Sequence, residues 1–228
     1  MITLLEYLAY KDEGTYDCEK DKIVYPHLDD IIEYNATLVA KYPFVLPRNV
    51  WTDEILEDYD FTWTELDAMP VGWRIRFGEE MVEEISQELR KFDYEDGYRI
   101  LQIKEKWGEL RWYDGGVPIG KLSDPDIELF VKNWDNRPHS DYETSFWEYE
   151  KEDNGYRFQH RTIIDKCKVH DIIEKYTKLS RKICIKCGDL AVYRSYGWIS
   201  PWCQNCKEEL EKDHIESFRE LTVEDYER

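Results

Sequence analysis

Cys184-Ile185-Lys186-Cys187-Gly188 and Cys203-Gln204-Asn205-Cys206 set two Cys-x-x-Cys pairs in the chain with fifteen residues between them. A Cys-x-x-Cys turn offers two sulfurs to one ion without strain, and zinc takes four ligands at the corners of a tetrahedron. The distance between the pairs suits a four-thiolate zinc site. Cys184, Cys187, Cys203 and Cys206 are therefore the expected ligands, and zinc the expected cofactor. Gly188 stands where a tight ligand-bearing turn often needs positive φ. A catalytic zinc keeps one position open for water, whereas four thiolates close the site and surround the ion with negative charge. The expected role is structural. Two disulfides, four unrelated thiols, or His170 or His214 in place of one cysteine are the competing readings.

Outside the cysteines, chemistry is thin. The five histidines are scattered, and no His-Glu-x-x-His, Walker lysine loop, Gly-x-Ser-x-Gly or paired Gly-rich dinucleotide signature occurs. Glu79, Glu80, Glu83 and Glu84 crowd the first half of an expected helix, where its dipole favours anions. They read as a solvated face rather than as paired catalytic carboxylates. A first basic group, Arg74, Arg76, Lys104, Lys106 and Arg111, is interleaved with Trp73, Trp107 and Tyr113. Arginine grips phosphate bidentately and an aromatic face stacks a base, so this group is the candidate site for a nucleotide, including a signalling nucleotide. The same residues also fit ordinary cross-strand ion pairing with Glu105 and Glu109. A second group runs from Lys166 to Arg194, with eight bases against three acids. It suits nucleic acid beside a zinc ribbon, or docking on the acidic part of the same chain.

The charge balance weighs between these readings. The 228 residues hold 31 basic and 50 acidic side chains, a formal charge of −19. Residues 161–228 contain 13 of each sign, so residues 1–160, with 18 bases and 37 acids, carry the whole excess. Such a balance opposes indiscriminate DNA binding. No long apolar run is present, and the start Met-Ile-Thr-Leu-Leu-Glu lacks the pattern of a signal peptide. The expected setting is a reducing cytoplasm, the natural home of a thiolate cage, with Cys18 and Cys167 left as extra thiols.

The elements that must position these groups follow from periodicity. Residues 1–10 are a short helix or strand, and 16–25 a hairpin about Glu19-Lys20-Asp21. Leu28 to Lys41 has helical spacing, ended by Pro43. Residues 42–47 are expected to be extended, because each proline disfavours α geometry in the residue before it. From Gly78 to Phe92, Met81, Val82, Ile85, Leu89 and Phe92 form one apolar stripe. Tyr98 to Asp114 reads as two strands about a turn at 106–109, with Leu101 and Ile103 on one face. Residues 122–160 show no clean period and are expected to be an insertion or long loop. Val169 to Ser180 is helical, and a final helix is expected over Lys207–Leu221. The fold class is α+β: an acidic helix-and-hairpin body over 1–160, then a four-cysteine zinc ribbon flanked by helices over 161–228.

Tyr42-Pro43-Phe44-Val45-Leu46-Pro47-Arg48-Asn49, Gly72-Trp73-Arg74-Ile75-Arg76-Phe77-Gly78 and Lys104-Glu105-Lys106-Trp107-Gly108-Glu109-Leu110-Arg111-Trp112-Tyr113 occur in order, followed by Cys-x-x-Cys-Gly, Gly197-Trp198-Ile199 and the second cysteine pair. This order resembles small uncharacterised accessory proteins of bacteriophages and prophages, over residues 42–113 and 175–206. The resemblance transfers no catalytic residue. It implies a phage accessory product acting in the bacterial cytoplasm, a class that often counters host defences. The leading expectation is thus an interaction protein that binds and inhibits a defence component, either a protein or a nucleotide signal. A zinc-ribbon nucleic-acid binder acting through 166–194 and a nucleotide-directed hydrolase are the rivals.

Overall fold

A computed structural model describes residues 2–49, 54–115, 145–152, 155–162, 167–212 and 217–227. The chain begins with α1 (Leu4–Asp12), whose start is fixed by a reciprocal cap. The Thr3 hydroxyl accepts from the Glu6 N–H, while the Glu6 carboxylate accepts from the Thr3 N–H at 2.8 Å. The expected hairpin follows as β1 (Thr15–Asp17) and β2 (Lys22–Val24), and the expected helix as α2 (Leu28–Lys41).

The segment after α2 departs from expectation. Pro43–Val45 is a turn of 3-10 helix, not an extended strand. The rule for residues before proline still operates at Tyr42 (φ −134°, ψ 81°) and Leu46 (φ −68°, ψ 124°). It constrains those two residues and leaves Phe44 and Val45 free to curl into the core, where both are buried.

The central helical run begins earlier than its apolar stripe suggests. One helical turn, α3 (Val71–Trp73), leads into a π-turn (Arg74–Gly78) and then α4 (Glu79–Arg90). Met81, Val82, Ile85 and Leu89 are completely buried, and Phe92 packs against them from just beyond the helix. Acids of α4 are held by tyrosine hydroxyls as well as by lysines, Lys41 on Glu83 and Lys175 on Glu84. Tyr34 donates to Glu79 at 2.9 Å, Tyr42 to Glu83 at 2.6 Å and Tyr176 to Glu84 at 3.0 Å. Tyr7 to Asp67 and Tyr98 to Asp114 repeat the device elsewhere. Charge-assisted bonds of this kind stabilise carboxylates that outnumber the available cations.

The second hairpin is β3 (Ile100–Lys106) and β4 (Glu109–Asp114), antiparallel with Lys104 opposite Arg111. A bulge between Ile100 and Gln102 adds one residue to β3. Ile100 and Ile103 are therefore the buried pair, and Leu101, expected to share the face of Ile103, is only half-buried. The region expected to be an insertion or loop contains a third hairpin, β5 (Ser145–Glu152) with β6 (Gly155–Thr162). Its other residues, 122–144 and 153–154, lie outside the described residues.

α5 (Val169–Ser180) packs on α4 and on β4. The Ser180 hydroxyl accepts from the buried Leu110 N–H at 2.8 Å, and Thr177 donates to the Leu110 carbonyl. The helix thereby covers an otherwise open sheet edge. The final helix is shorter than expected. α6 (Gln204–Lys212) is followed by β9 (Phe218–Glu220), which joins β7 (Tyr193–Ser195) and β8 (Pro201–Trp202) in a sheet ordered β8-β7-β9, before α7 (Val223–Glu227). Pairing of β9 with β7 overrides the helical pattern of 207–221. One apolar cluster runs from Tyr7 through Trp73 and Leu110 to Tyr176 and Ile183, crossing the boundary expected near residue 160. The described elements make the fold a mixture of helices and small antiparallel sheets.

Candidate metal centre

The first cysteine pair sits on a knuckle built by backbone bonds. Cys184 N–H donates to Asp189 O at 2.7 Å, and Gly188 N–H returns to Cys184 O at 3.1 Å. Gly188 has φ +85°, as its place in the motif requires. The second pair opens α6, where the Cys206 N–H points at the Cys203 sulfur at 3.4 Å. Ile185 N–H donates to Pro201 O at 3.0 Å and draws the two segments together.

The four Sγ atoms lie within 4.8 Å of one another. Cys187 and Cys203 sulfurs are 3.6 Å apart, well beyond a disulfide bond of about 2.05 Å. A tetrahedron with metal–sulfur bonds of about 2.3 Å has edges of about 3.8 Å, so the cluster is compatible with a metal ion. Cys184, Cys203 and Cys206 are buried and Cys187 half-buried, with Trp202 packed alongside. Burial pushes the Cys187 thiol up to about 12 and raises Cys206 as well. Burial acts upward on Cys203 too, but the Cys206 N–H and the neighbouring thiols hold it below the ordinary value. A divalent ion bound among these sulfurs would displace their protons. His170 is exposed on α5 outside the cluster, and His214 lies outside the described residues.

The knuckle is clamped to the body at a point that sequence reasoning did not single out. Gly72 N–H donates to Ile185 O at 2.9 Å, and the Trp73 indole N–H donates to Ile183 O at 3.0 Å. A Cβ on Gly72 would stand 2.2 Å from Cys184 O, and one on Gly188 2.7 Å from Gly72 O. Two glycines from distant motifs thus let backbone cross backbone. The only sequence signal for it was the pair of glycines itself.

The first basic group does not gather into one site. Arg74 is buried, with its guanidinium on Asp67 and over the Tyr7 ring. Arg76 has its Cβ against the Gly188 turn. Lys104 and Tyr113 do meet on the hairpin, the ammonium 5.1 Å from the ring centroid. Arg111 pairs with Glu109, which also binds Arg181 at 2.6 Å. Glu105, expected as a cross-strand partner, instead accepts from the Gly108 N–H at 2.6 Å and closes the turn. Lys106 covers Trp107 at 4.6 Å.

Trp107 and Gly108 both have positive φ, 58° and 80°, the pairing of a tight primed hairpin turn. Trp107 is 64% exposed there, and its carbonyl accepts from Arg194 at 2.7 Å. Beside it, Gly108 meets Ile199, the neighbour of Trp198, which is 71% exposed. Two turns that meet at Gly108 and Ile199 therefore each carry an exposed tryptophan, and Trp198 was not among the expected site residues.

The second basic group is largely engaged within the chain. Lys175 pairs with Glu84, Arg181 with Glu109, Lys186 with Glu209 and Arg194 with Asp225, while Lys178 pairs with Glu174 on its own helix. Lys166 lies outside the described residues. Among the described residues, no helix is long and apolar enough to cross a membrane.

Nothing among known protein families, curated proteins or solved structures matches this chain.

Proposed function

We propose that the chain is a phage accessory protein that binds and blocks a basic protein component of bacterial antiviral defence. Its four cysteines hold a structural zinc ion that fixes the binding face. The observation that carries this reading is the fate of the positive charges. Arg74, Arg111, Lys175, Arg181 and Arg194 are committed to carboxylates of the same chain. What remains in excess is negative, in line with the formal −19, and an acidic surface steers toward basic partners. Trp107 and Trp198 supply the anchors, since exposed tryptophans on held backbone are the side chains that dominate interface energies.

Burial of Arg74 weakens the nucleotide-signal and hydrolase alternatives, because it removes the central phosphate grip from the solvent. The internal pairing of the 166–194 bases likewise weakens the nucleic-acid alternative. Zinc in this role contributes folding free energy and no open coordination position.

The test is plating of defence-sensitive phage on bacteria carrying single defence systems, with and without this chain. Restored plating should be lost in Trp107→Ala/Trp198→Ala. The purified pair should dissociate as salt rises. Rescue that survives the double substitution, or that tracks nucleotide depletion without a protein complex, overturns the reading.

A further inference from the structure

Asp67 organises a buried polar cluster where α1, α2, the 3-10 turn Glu65–Ala68 and the π-turn meet. Its two oxygens accept from the Tyr7 hydroxyl at 2.9 Å, from Arg74 Nη1 and from the Thr64 N–H at 2.7 Å. Tyr7 stacks on Tyr34, ring centroids 4.4 Å apart. Asn35 gives its Nδ2 to Phe61 O at 2.8 Å and lies beside the Tyr7 hydroxyl. When these bonds are counted, three atoms make no close hydrogen bond: Arg74 Nη2, Asn35 Oδ1 and Thr64 Oγ1, the last only facing the Asp67 N–H across a loose capping box. Their residues are 2%, 0% and 0% exposed. Buried polar atoms are almost always hydrogen-bonded, so three orphans around one carboxylate require a common explanation.

We infer that these atoms line a binding site for a single water molecule. The chemistry of the orphans selects the ligand. Arg74 Nη2 only donates. Asn35 Oδ1 only accepts, because Phe61 O fixes the orientation of the amide. Thr64 Oγ1 does either. The ligand must accept from a guanidinium, donate to an amide oxygen and satisfy a hydroxyl. A water molecule does all three, and buried waters typically make about three such bonds. A fully ionised anion has no proton for Asn35, and it would enter a cluster where Asp67 and Glu79 already outnumber Arg74. A cation would face the guanidinium. The water links α2, the start of the 65–68 turn and the π-turn, segments far apart in sequence. Arg74 thereby serves as an internal strut for the π-turn.

A high-resolution crystal structure of the full chain should show density within about 2.7–3.2 Å of Arg74 Nη2 and of Asn35 Oδ1 or Thr64 Oγ1. In solution, water-selective NMR should show transfer from a long-lived water to the Arg74 side-chain protons. Asn35→Leu/Thr64→Val should lose both signals. A dry wild-type site, with Arg74 Nη2 bonded directly to Asn35 or Thr64, overturns the assignment, as does an ion at that position. The wild-type measurements decide the question even where the double variant fails to fold.

Discussion

Gly72 shows how much one missing methyl group controls. Its N–H holds the metal knuckle, and its bare Cα lets Cys184 O approach. Gly72→Ala should destabilise the protein by at least the roughly 1–3 kcal/mol typical of forced overpacking. It should also weaken zinc retention against a competing chelator, while Val71→Ala, at an exposed neighbour, should not. If the proposed ion is bound, Cys187→Ser should release it and unfold the cysteine segment 184–206, since metal affinity of this kind is folding free energy. Zinc content by mass spectrometry and protection of 184–206 from hydrogen exchange measure both. Asp225 is a second single-residue fulcrum. It receives Arg194, both nitrogens of Arg219, and the Thr222 N–H and hydroxyl. Those bonds, Arg219 foremost, hold its carboxyl far below the ordinary range. A depressed acid contributes stability above its unfolded pKa of about 3.9 and loses it as pH falls through the folded value. Asp225→Asn should therefore destabilise α7 and β9 near neutral pH, and the deficit should vanish in strong acid.

At the level of elements, the 3-10 turn Glu65–Ala68 carries the opposite sign. Burial raises the Glu65 carboxyl to about 7. The unfolded chain releases that proton near pH 4.3, so the folded state loses stability as pH rises from there toward 7. Glu65→Gln should flatten this slope in urea titrations between about pH 4 and 7; an unchanged slope would refute the burial account. Elements of this kind were only partly legible in the sequence. The boundaries of α2 and α5 were plain, because period and punctuation agree there. The β3 bulge was not, because alternation of Leu101 and Ile103 looks the same with or without an added residue. The 207–221 region was misread as one helix because pairing of β9 with β7 is long-range and leaves no local mark. For the site, four cysteines at motif spacing announced themselves, and the structure gathers their sulfurs. The basic group misled, because charge in sequence does not say which arginine is buried on an aspartate. Arg74 is the clearest instance.

At the scale of the whole molecule, one apolar cluster of the described residues has members on both sides of residue 160, and a smaller one surrounds the cysteines. Trp73 is buried in the body yet donates to Ile183, next to the cage. Removing metal should therefore reach well beyond the ribbon. Chelation should reduce hydrogen-exchange protection at Gly72 and Trp73 together with 184–206. Losses confined to 184–206 would show that the two parts fold separately.

The exposed placement of Trp107 and Trp198, against the buried Trp73, has an optical consequence. Iodide and acrylamide should reach the two outer indoles far more readily than the buried Trp73, because quenching requires collision with the ring. Docking of a partner on that face should shift the outer emission to shorter wavelength and shield it from both quenchers. Trp202, packed on the cysteines, should respond to metal instead. Among the nine tryptophans, comparison of Trp107→Phe/Trp198→Phe and of Trp202→Phe with the parent chain should isolate the signals that report docking and metal.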